Sequence, residues 1–220
     1  MPDAGALLPG LALALLGILF TWFTVGTQLN IRRGTRLLAW IQEGIPILGD
    51  RARLRWLGNS VAAITIPDGT PPFREGEVML VLEPRDLGAI WAFARQRSRR
   101  DFFLIRLNLV AAPGFAADLL DPHRWTPPGT PPLDDRLRPT HSGPVSDGGY
   151  ELRDDGAAPR DELRRLWETL TVASGRVWRL SIRETAPHLE IHVVPPDLAA
   201  AGSARLFTAI RQLAERVVRH

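Results

Sequence analysis

Between Asp3 and Arg32 the chain carries no charged side chain, and the silence ends abruptly in Arg32, Arg33 and Arg36. Inside it, Leu7 to Gly26 (LLPGLALALLGILFTWFTVG) would cover roughly 30 Å as a helix, the thickness of a bilayer's hydrocarbon layer. Pro9 falls in the first turn, where a missing N–H does little harm. Gly10 and Gly17 belong to a residue type more frequent in membrane helices than in soluble ones. Thr21, Trp22 and Thr24 suit an interfacial end, because indole settles at the headgroup level.

An export signal should open with positive charge and close on a small-residue cleavage site. Here the amino end carries Asp3 and no arginine, and Thr24-Val25-Gly26 is a poor cleavage site. A core helix without charge over such a length would be unusual in a domain of this size. The expectation is therefore a single membrane span, residues 1–31. The arginines that follow place the carboxy-terminal bulk in the cytoplasm and the amino terminus outside, by the positive-inside rule.

Composition removes several mechanisms. All 27 basic residues are arginine and there is no cysteine. Without lysine there is no Walker A loop, Schiff-base lysine or kinase-type ATP lysine. Without cysteine there is no thiol nucleophile, thiolate metal site or disulfide. The high isoelectric point reflects the missing lysines and not an excess of charge, since the net charge is only +3. No G-x-S-x-G, G-x-G-x-x-G or G-x-x-G occurs, so neither a nucleophile elbow, a dinucleotide fingerprint nor a nucleic-acid clamp is expected. No cofactor is expected either. The all-arginine usage suggests a genome rich in G and C, which fits a bacterial inner-membrane protein.

Beyond the span, the chain reads as an α+β domain of two helix-strand-strand-helix halves, residues 32–120 and 160–220, around a linker, 121–159. Their strands should form one mixed or antiparallel sheet with helices on one side. Arg36 to Leu48 has Leu37, Leu38, Trp40, Ile41 and Ile45 on one stripe, a short amphipathic helix that either packs on the domain, the favoured reading, or lies along the membrane surface. RARLRWL (Arg51 to Leu57) alternates, a strand signal that VAAITI (Val61 to Ile66) continues. VMLVL (Val78 to Leu82) suits a strand covered on both faces. Asp86 can cap a helix to Ser98 with Leu87, Ile90, Trp91 and Ala94 inward, and Phe102 to Val110 is another strand. Pro, Gly and Asp crowd 121–159 without apolar period, so a flexible loop is expected there. Leu163, Leu166, Trp167 and Leu170 then mark a helix from Asp161. Two strands follow around Thr185-Ala186-Pro187, and Asp197 should cap a final helix with Leu206, Phe207, Ile210, Leu213, Ala214 and Val217 inward. Trp40, Trp56, Trp91, Trp167 and Trp178 sit in apolar phases and read as core. EVMLVLEPRDLGAIWAFARQ resembles HLEIHVVPPDLAAAGSARLFTAIRQ, each an apolar strand, a Pro two residues before an Asp, and a helix.

One constellation carries candidate chemistry. On a strand, His188, Glu190 and His192 share a face, and two imidazoles with a carboxylate are ligand types that zinc or iron uses. If the turn at Thr185 sets the register, Ser181 lies opposite Glu190 and Arg179 and Arg183 share its face. Guanidiniums there would occupy the Glu190 lone pairs and favour a salt-bridged, solvated hairpin over a metal. Asp118, Asp121 and His123 fall close together in a loop, and Asp134-Asp135 in the linker. Contacts with the membrane surface are expected from Trp22, Arg32, Arg33, Arg36, Arg51, Arg53 and Arg55. The leading expectation is a single-pass protein of the cell membrane whose cytoplasmic domain binds, scaffolds or regulates without catalysis. Its expected partners are the lipid bilayer and an unidentified protein, with no nucleic acid. The alternatives are a membrane-tethered metal-dependent enzyme using the His188/Glu190/His192 face, and a sensor of anionic lipid using Arg51, Arg53 and Arg55.

Overall fold

The computed structural model describes residues 4–97, 99–121, 134–143, 150–198 and 202–219, with 4–8 and 141–143 as backbone only. The uncharged stretch and the amphipathic helix after it are not two elements. They form one continuous helix, α1, Ala4–Gln42, followed by a 3-10 turn, Ile45–Ile47. Nothing in RRGTR stops a helix: its one glycine, Gly34, lies on the side that faces the domain, where the Trp56 ring leaves no room for a Cβ. The helix changes environment along its length. It is long and apolar enough to cross a membrane, and only 6% of its apolar window is buried. From Gly26 a stripe of buried residues begins, Gly26, Asn30, Gly34, Leu37, Leu38 and Ile41, at the spacing of one helical face. The expected packing of Leu37, Leu38, Trp40, Ile41 and Ile45 on the domain is present, all five being buried.

The domain is a nine-stranded sheet in which every neighbouring pair is antiparallel. Its strands are β1 Arg53–Trp56, β2 Val61–Ile66, β3 Phe73–Val81, β4 Phe102–Leu109, β5 Ala117–Leu120, β6 Arg138–Gly143, β7 Tyr150–Asp154, β8 Arg176–Ile182 and β9 Leu189–Val194. Their spatial order is β1-β2-β3-β4-β9-β8-β5-β7-β6. The two halves meet where β4 pairs with β9, Ile105 beside Ile191.

Several expectations change. VAAITI does not prolong RARLRWL; the chain reverses around Gly58 (φ +127°), and β1 and β2 form a hairpin. A turn there needs a residue tolerant of positive φ, which glycine supplies. The composition of 121–159 predicts no strands, yet β6 and β7 lie within that stretch and extend the sheet beyond β5. Tyr150 and Leu152 of β7 are buried in the core, an alternation too short to register among so many Asp and Gly. The rest of that expected linker, 122–133 and 144–149, lies outside the described residues.

Among the described residues the domain has three more helices: α2 Gly88–Gln96, α3 Arg160–Ser174 and α4 Ser203–Val217. The expected caps are not used: α2 follows Leu87 and α4 follows Gly202, neither with a side-chain capping bond. The stripes of α3 (Leu163, Trp167, Leu170) and α4 (Leu206, Phe207, Ile210, Leu213, Ala214, Val217) are buried as expected, in one cluster with the end of α1. Alternate residues of the central strands fill the other side of that cluster, among them Val78, Leu80, Phe103, Ile105, Leu107, Leu180, Leu189, Ile191 and Val193. The core is thus a sandwich of one sheet face against α1, α3 and α4. Helix α2 is different. Only Ala94 of it is buried, and Leu87 and Ile90, expected inward, are exposed.

Candidate functional site

The opposite face of the sheet carries a ladder of charge. Cross-strand neighbours run Glu77 (β3), Arg106 (β4), Glu190 (β9), Ser181 (β8), Asp118 (β5) and Arg153 (β7). Ser181 opposite Glu190 is the register that the turn at Thr185 implied. The guanidinium on Glu190 comes from elsewhere, however. Arg106 donates from Nε to Glu190 Oε2 at 2.9 Å, and the Glu190 Oε1 contact at 2.8 Å is His192 Nε2. Arg183 instead donates to Asp118 Oδ2 at 2.7 Å, and the Arg179 guanidinium lies 3.8 Å from Asp118 Oδ1. The Ser181 hydroxyl also donates to Asp118 and accepts from Arg179 Nε. Asp118 therefore stands at the middle of a strand and not in a loop, fully buried.

Nor is the face solvated as expected. Glu190, His192, Arg179 and Ser181 are all buried, because β8 and β9 are central strands. Burial pushes the Glu190 carboxyl up, but the hydrogen bonds from His192 and Arg106 outweigh it and hold the pKa at about 2. Burial also lowers the His192 pKa, against the pull of Glu190. An ionised carboxylate only accepts, so neutral His192 carries its proton on Nε2 toward Glu190. Its ring stacks on Phe102 at 6.3 Å and meets Trp178 edge-on at 5.3 Å.

His188 is engaged separately, at the end of the strand. Its Nδ1 accepts the Leu109 amide at 2.9 Å, and burial, with help from Arg74, lowers its pKa. His188, Glu190 and His192 share a strand face as the spacing required, yet each already holds a protein partner. Among the described residues no group of three His, Asp or Glu is placed to hold a metal ion. What the ladder does chemically is satisfy the buried carboxylates of Glu190 and Asp118 across β4, β9, β8 and β5, in the way that buried ion pairs require. Asp134 makes a local pair with Arg136, which lowers its pKa to about 2. Asp121 pairs with Arg176 across to β8, while His123 lies outside the described residues.

A second polar network was not legible in the sequence, and it joins α1 to the domain. The Asp101 carboxylate receives two hydrogen bonds from Arg85 at 3.0 Å each, one from Arg33 at 3.3 Å and the Glu83 amide at 2.9 Å. Arg85 also donates to Asn30 Oδ1 at 3.0 Å, and Asn30 reaches Ser60. Glu83, buried at the end of β3, accepts the Trp91 indole at 2.6 Å. Trp22 donates its indole to the Arg85 carbonyl at 3.2 Å, and the Trp22 and Trp91 rings lie 6.4 Å apart. Gly26 makes this approach possible, since a Cβ there would sit 2.2 Å from that carbonyl oxygen. Gly88 plays the same part beneath Trp22.

The expected surface residues divide accordingly. Trp22 and Arg33 are tied into this junction, whereas Arg32 and Arg36 are exposed beside it. Arg53 and Arg55 project from an exposed edge strand, and Arg51 makes a loose pair with Asp68 at 3.6 Å. Trp40, Trp167 and Trp178 are core; Trp56 and Trp91 lean on α1 and are partly exposed. The signal that could have revealed the junction is the stripe Gly26-Asn30-Gly34, a buried amide between two close-approach glycines, each four residues away. Two apolar clefts of 660 Å³ each flank the α1–α2 contact. Trp22, Ile18 and Trp91 line the first, with Gly17 and Gly26; Trp22, Leu87 and Ile90 line the second. No known family model matches the sequence, and no curated protein is significantly similar to it.

Proposed function

We propose that the chain is a single-pass inner-membrane protein whose cytoplasmic domain acts without catalysis, as a binding or scaffold module held at the membrane surface. The observation that carries this reading is the split character of α1. Its first half offers apolar side chains to the surroundings, Leu11 to Phe23 among them, and its second half is built into the core. A helix of that kind fixes the domain rigidly to whatever solvates its first half, and hydrocarbon is the solvent that suits exposed Leu, Ile and Phe. The Asp101–Arg85–Asn30 network supports the same reading, because it stiffens the connection where a tethered domain would otherwise swivel. Exposed Arg32 and Arg36 beside the apolar half favour a cytoplasmic domain.

The non-catalytic part of the reading rests on the buried ladder. His192 and Arg106 each hold one Glu190 oxygen, so both oxygens are engaged. The absence of cysteine allows a direct test. A single cysteine at Val172, which is 85% exposed, should react with an impermeant maleimide in inverted membrane vesicles and not in intact cells. Reaction in intact cells would reverse the orientation. Metal analysis of the purified chain should find no stoichiometric zinc or iron; metal that disappears in His188→Ala would replace this reading with the enzymatic one.

A further inference from the structure

Helix α2 leaves an apolar edge uncovered: Leu87, Ile90 and Phe93 are about half exposed, at the spacing of one helical face. That edge continues the exposed apolar surface of α1. Trp22 of α1 lies tilted beside Trp91 of α2, Gly88 sits against the Trp22 ring, and one apolar cleft runs from Ile18 to Ile90. The contact places α2 level with the last turns of the apolar stretch. Arginines gather at the far end of the same helix. Arg97 lies over the Phe93 ring at 4.2 Å, Arg95 over Trp91 at 5.4 Å, and Arg100 follows. Arg95 is only 4.0 Å from its nearest carboxylate, Glu83, and stays more than half exposed.

We infer that α2 is a second membrane contact, an interfacial helix lying in the headgroup layer of an anionic phospholipid bilayer. Leu87, Ile90 and Phe93 enter the acyl boundary, and Arg95, Arg97 and Arg100 meet lipid phosphates. This rests on the reading of α1 as the membrane span. The partner is lipid and not protein for two reasons. The apolar edge is continuous with a surface that hydrocarbon already solvates. The charge just beyond the apolar edge is arginine, with Asp86 at the opposite end of the helix, and basic residues beside an apolar face are the arrangement by which amphipathic helices settle on anionic leaflets. A pair of tryptophans at the junction fits that depth as well. The consequence is orientation: a contact beside the span, away from its axis, limits rotation and tilt of the domain on the bilayer.

The test uses the full chain in vesicles of phosphatidylcholine with a minority of phosphatidylglycerol. Single cysteines at Leu16, Phe93 and Val172 carry an environment-sensitive fluorophore, and quenching is compared between nitroxide lipids and aqueous iodide. All three sites are exposed, so the substitutions spare the core. Expected is lipid quenching at Leu16, shallow-nitroxide quenching at Phe93 with loss of iodide quenching, and iodide quenching alone at Val172. Iodide quenching at Phe93 equal to that at Val172, with Leu16 still in lipid, would overturn the inference and leave the span standing. Iodide quenching at Leu16 as well would overturn both. Protection at Phe93 that appears only on addition of cell extract would assign the edge to a protein partner and overturn the lipid assignment.

Discussion

Helices α2 and α4 follow stretches of the same pattern and end in different surroundings. Each comes after an apolar strand and a Pro two residues before an Asp, Pro84-Arg85-Asp86 in one case and Pro195-Pro196-Asp197 in the other. The strands agree in their core-facing residues: Val78, Leu80 and Leu82 of the first match Leu189, Ile191 and Val193 of the second, all buried. Beyond that they part. The other face of β3 carries Met79 and Val81 where β9 carries Glu190 and His192. Helix α4 buries Leu206, Phe207, Ile210, Leu213, Ala214 and Val217, while α2 buries Ala94 alone. Helical periodicity records that a face is apolar; it does not record whether a protein interior or another apolar medium meets that face.

The contrast can be broken most directly at two phenylalanines. Phe207→Ala, in α4 and fully buried against Gly44, should cost about 3–5 kcal/mol of folding stability. Phe93→Ala, in α2 and 54% exposed, should leave stability within about 0.5 kcal/mol. Denaturant unfolding of the detergent-solubilised chain measures both, and similar losses would erase the distinction between the helices. The strands offer a second pair. Glu190→Leu orphans the His192 Nε2–H inside the sheet and should cost roughly 3 kcal/mol. Met79→Leu at the matching place on β3 should cost less than about 1.5 kcal/mol.

The same ladder sets a pH dependence. The His192 pKa is lowered from 6.5 by folding, so its contribution is complete above that value and is lost as pH falls below it. Glu190 titrates near 2 in the fold against 4.5 unperturbed, so its contribution disappears between those values on acidification. The melting temperature should be level above neutrality and fall in two stages in acid, and Glu190→Gln should diminish the lower stage, to which Asp134 and Asp154 also contribute. A melting temperature that rises on acidification would contradict the hydrogen-bond arrangement described.

A smaller effect sharpens the comparison within α1. Gly26→Ala forces a Cβ onto the Arg85 carbonyl and should cost about 1–3 kcal/mol, with loosening of the α1–α2 contact. Gly10→Ala meets nothing within 4 Å and should be neutral or stabilising. Thermal unfolding in one detergent distinguishes them, and equal behaviour would mean that α1 is not docked at Gly26.

What sequence could reveal followed local periodicity. The stripes of α3 and α4, the packing of Leu37 to Ile45 and the register of Ser181 against Glu190 are all set by residues near one another in the chain, and each was legible. Partners distant in sequence were not. Arg106 reaches Glu190 and Asp118 reaches Arg183 only because β4 and β5 flank the β8–β9 hairpin, a consequence of sheet order that no spacing encodes. Breaks between elements were the least legible feature. Neither of two was legible: the glycine at position 58 turns the chain where a continued strand is expected, and RRGTR contains nothing that ends a helix, so one element of 39 residues runs through it. Tyr150 and Leu152 escaped notice because three alternating positions cannot outweigh surroundings of Asp, Gly and Pro. The junction of Asn30, Arg85 and Asp101 escaped for the same reason as Arg106: its members come from three separate segments.

Everything functional depends on hydrocarbon surrounding the first half of α1 while its second half belongs to the domain. Alkaline carbonate extraction of native membranes, with amino-terminal sequencing of the recovered chain, tests that most directly. The expected result is a chain that stays in the pellet until detergent is added and still begins ahead of Leu7. Intact chain in a detergent-free soluble fraction, or a mature amino terminus beyond Trp22, would contradict it.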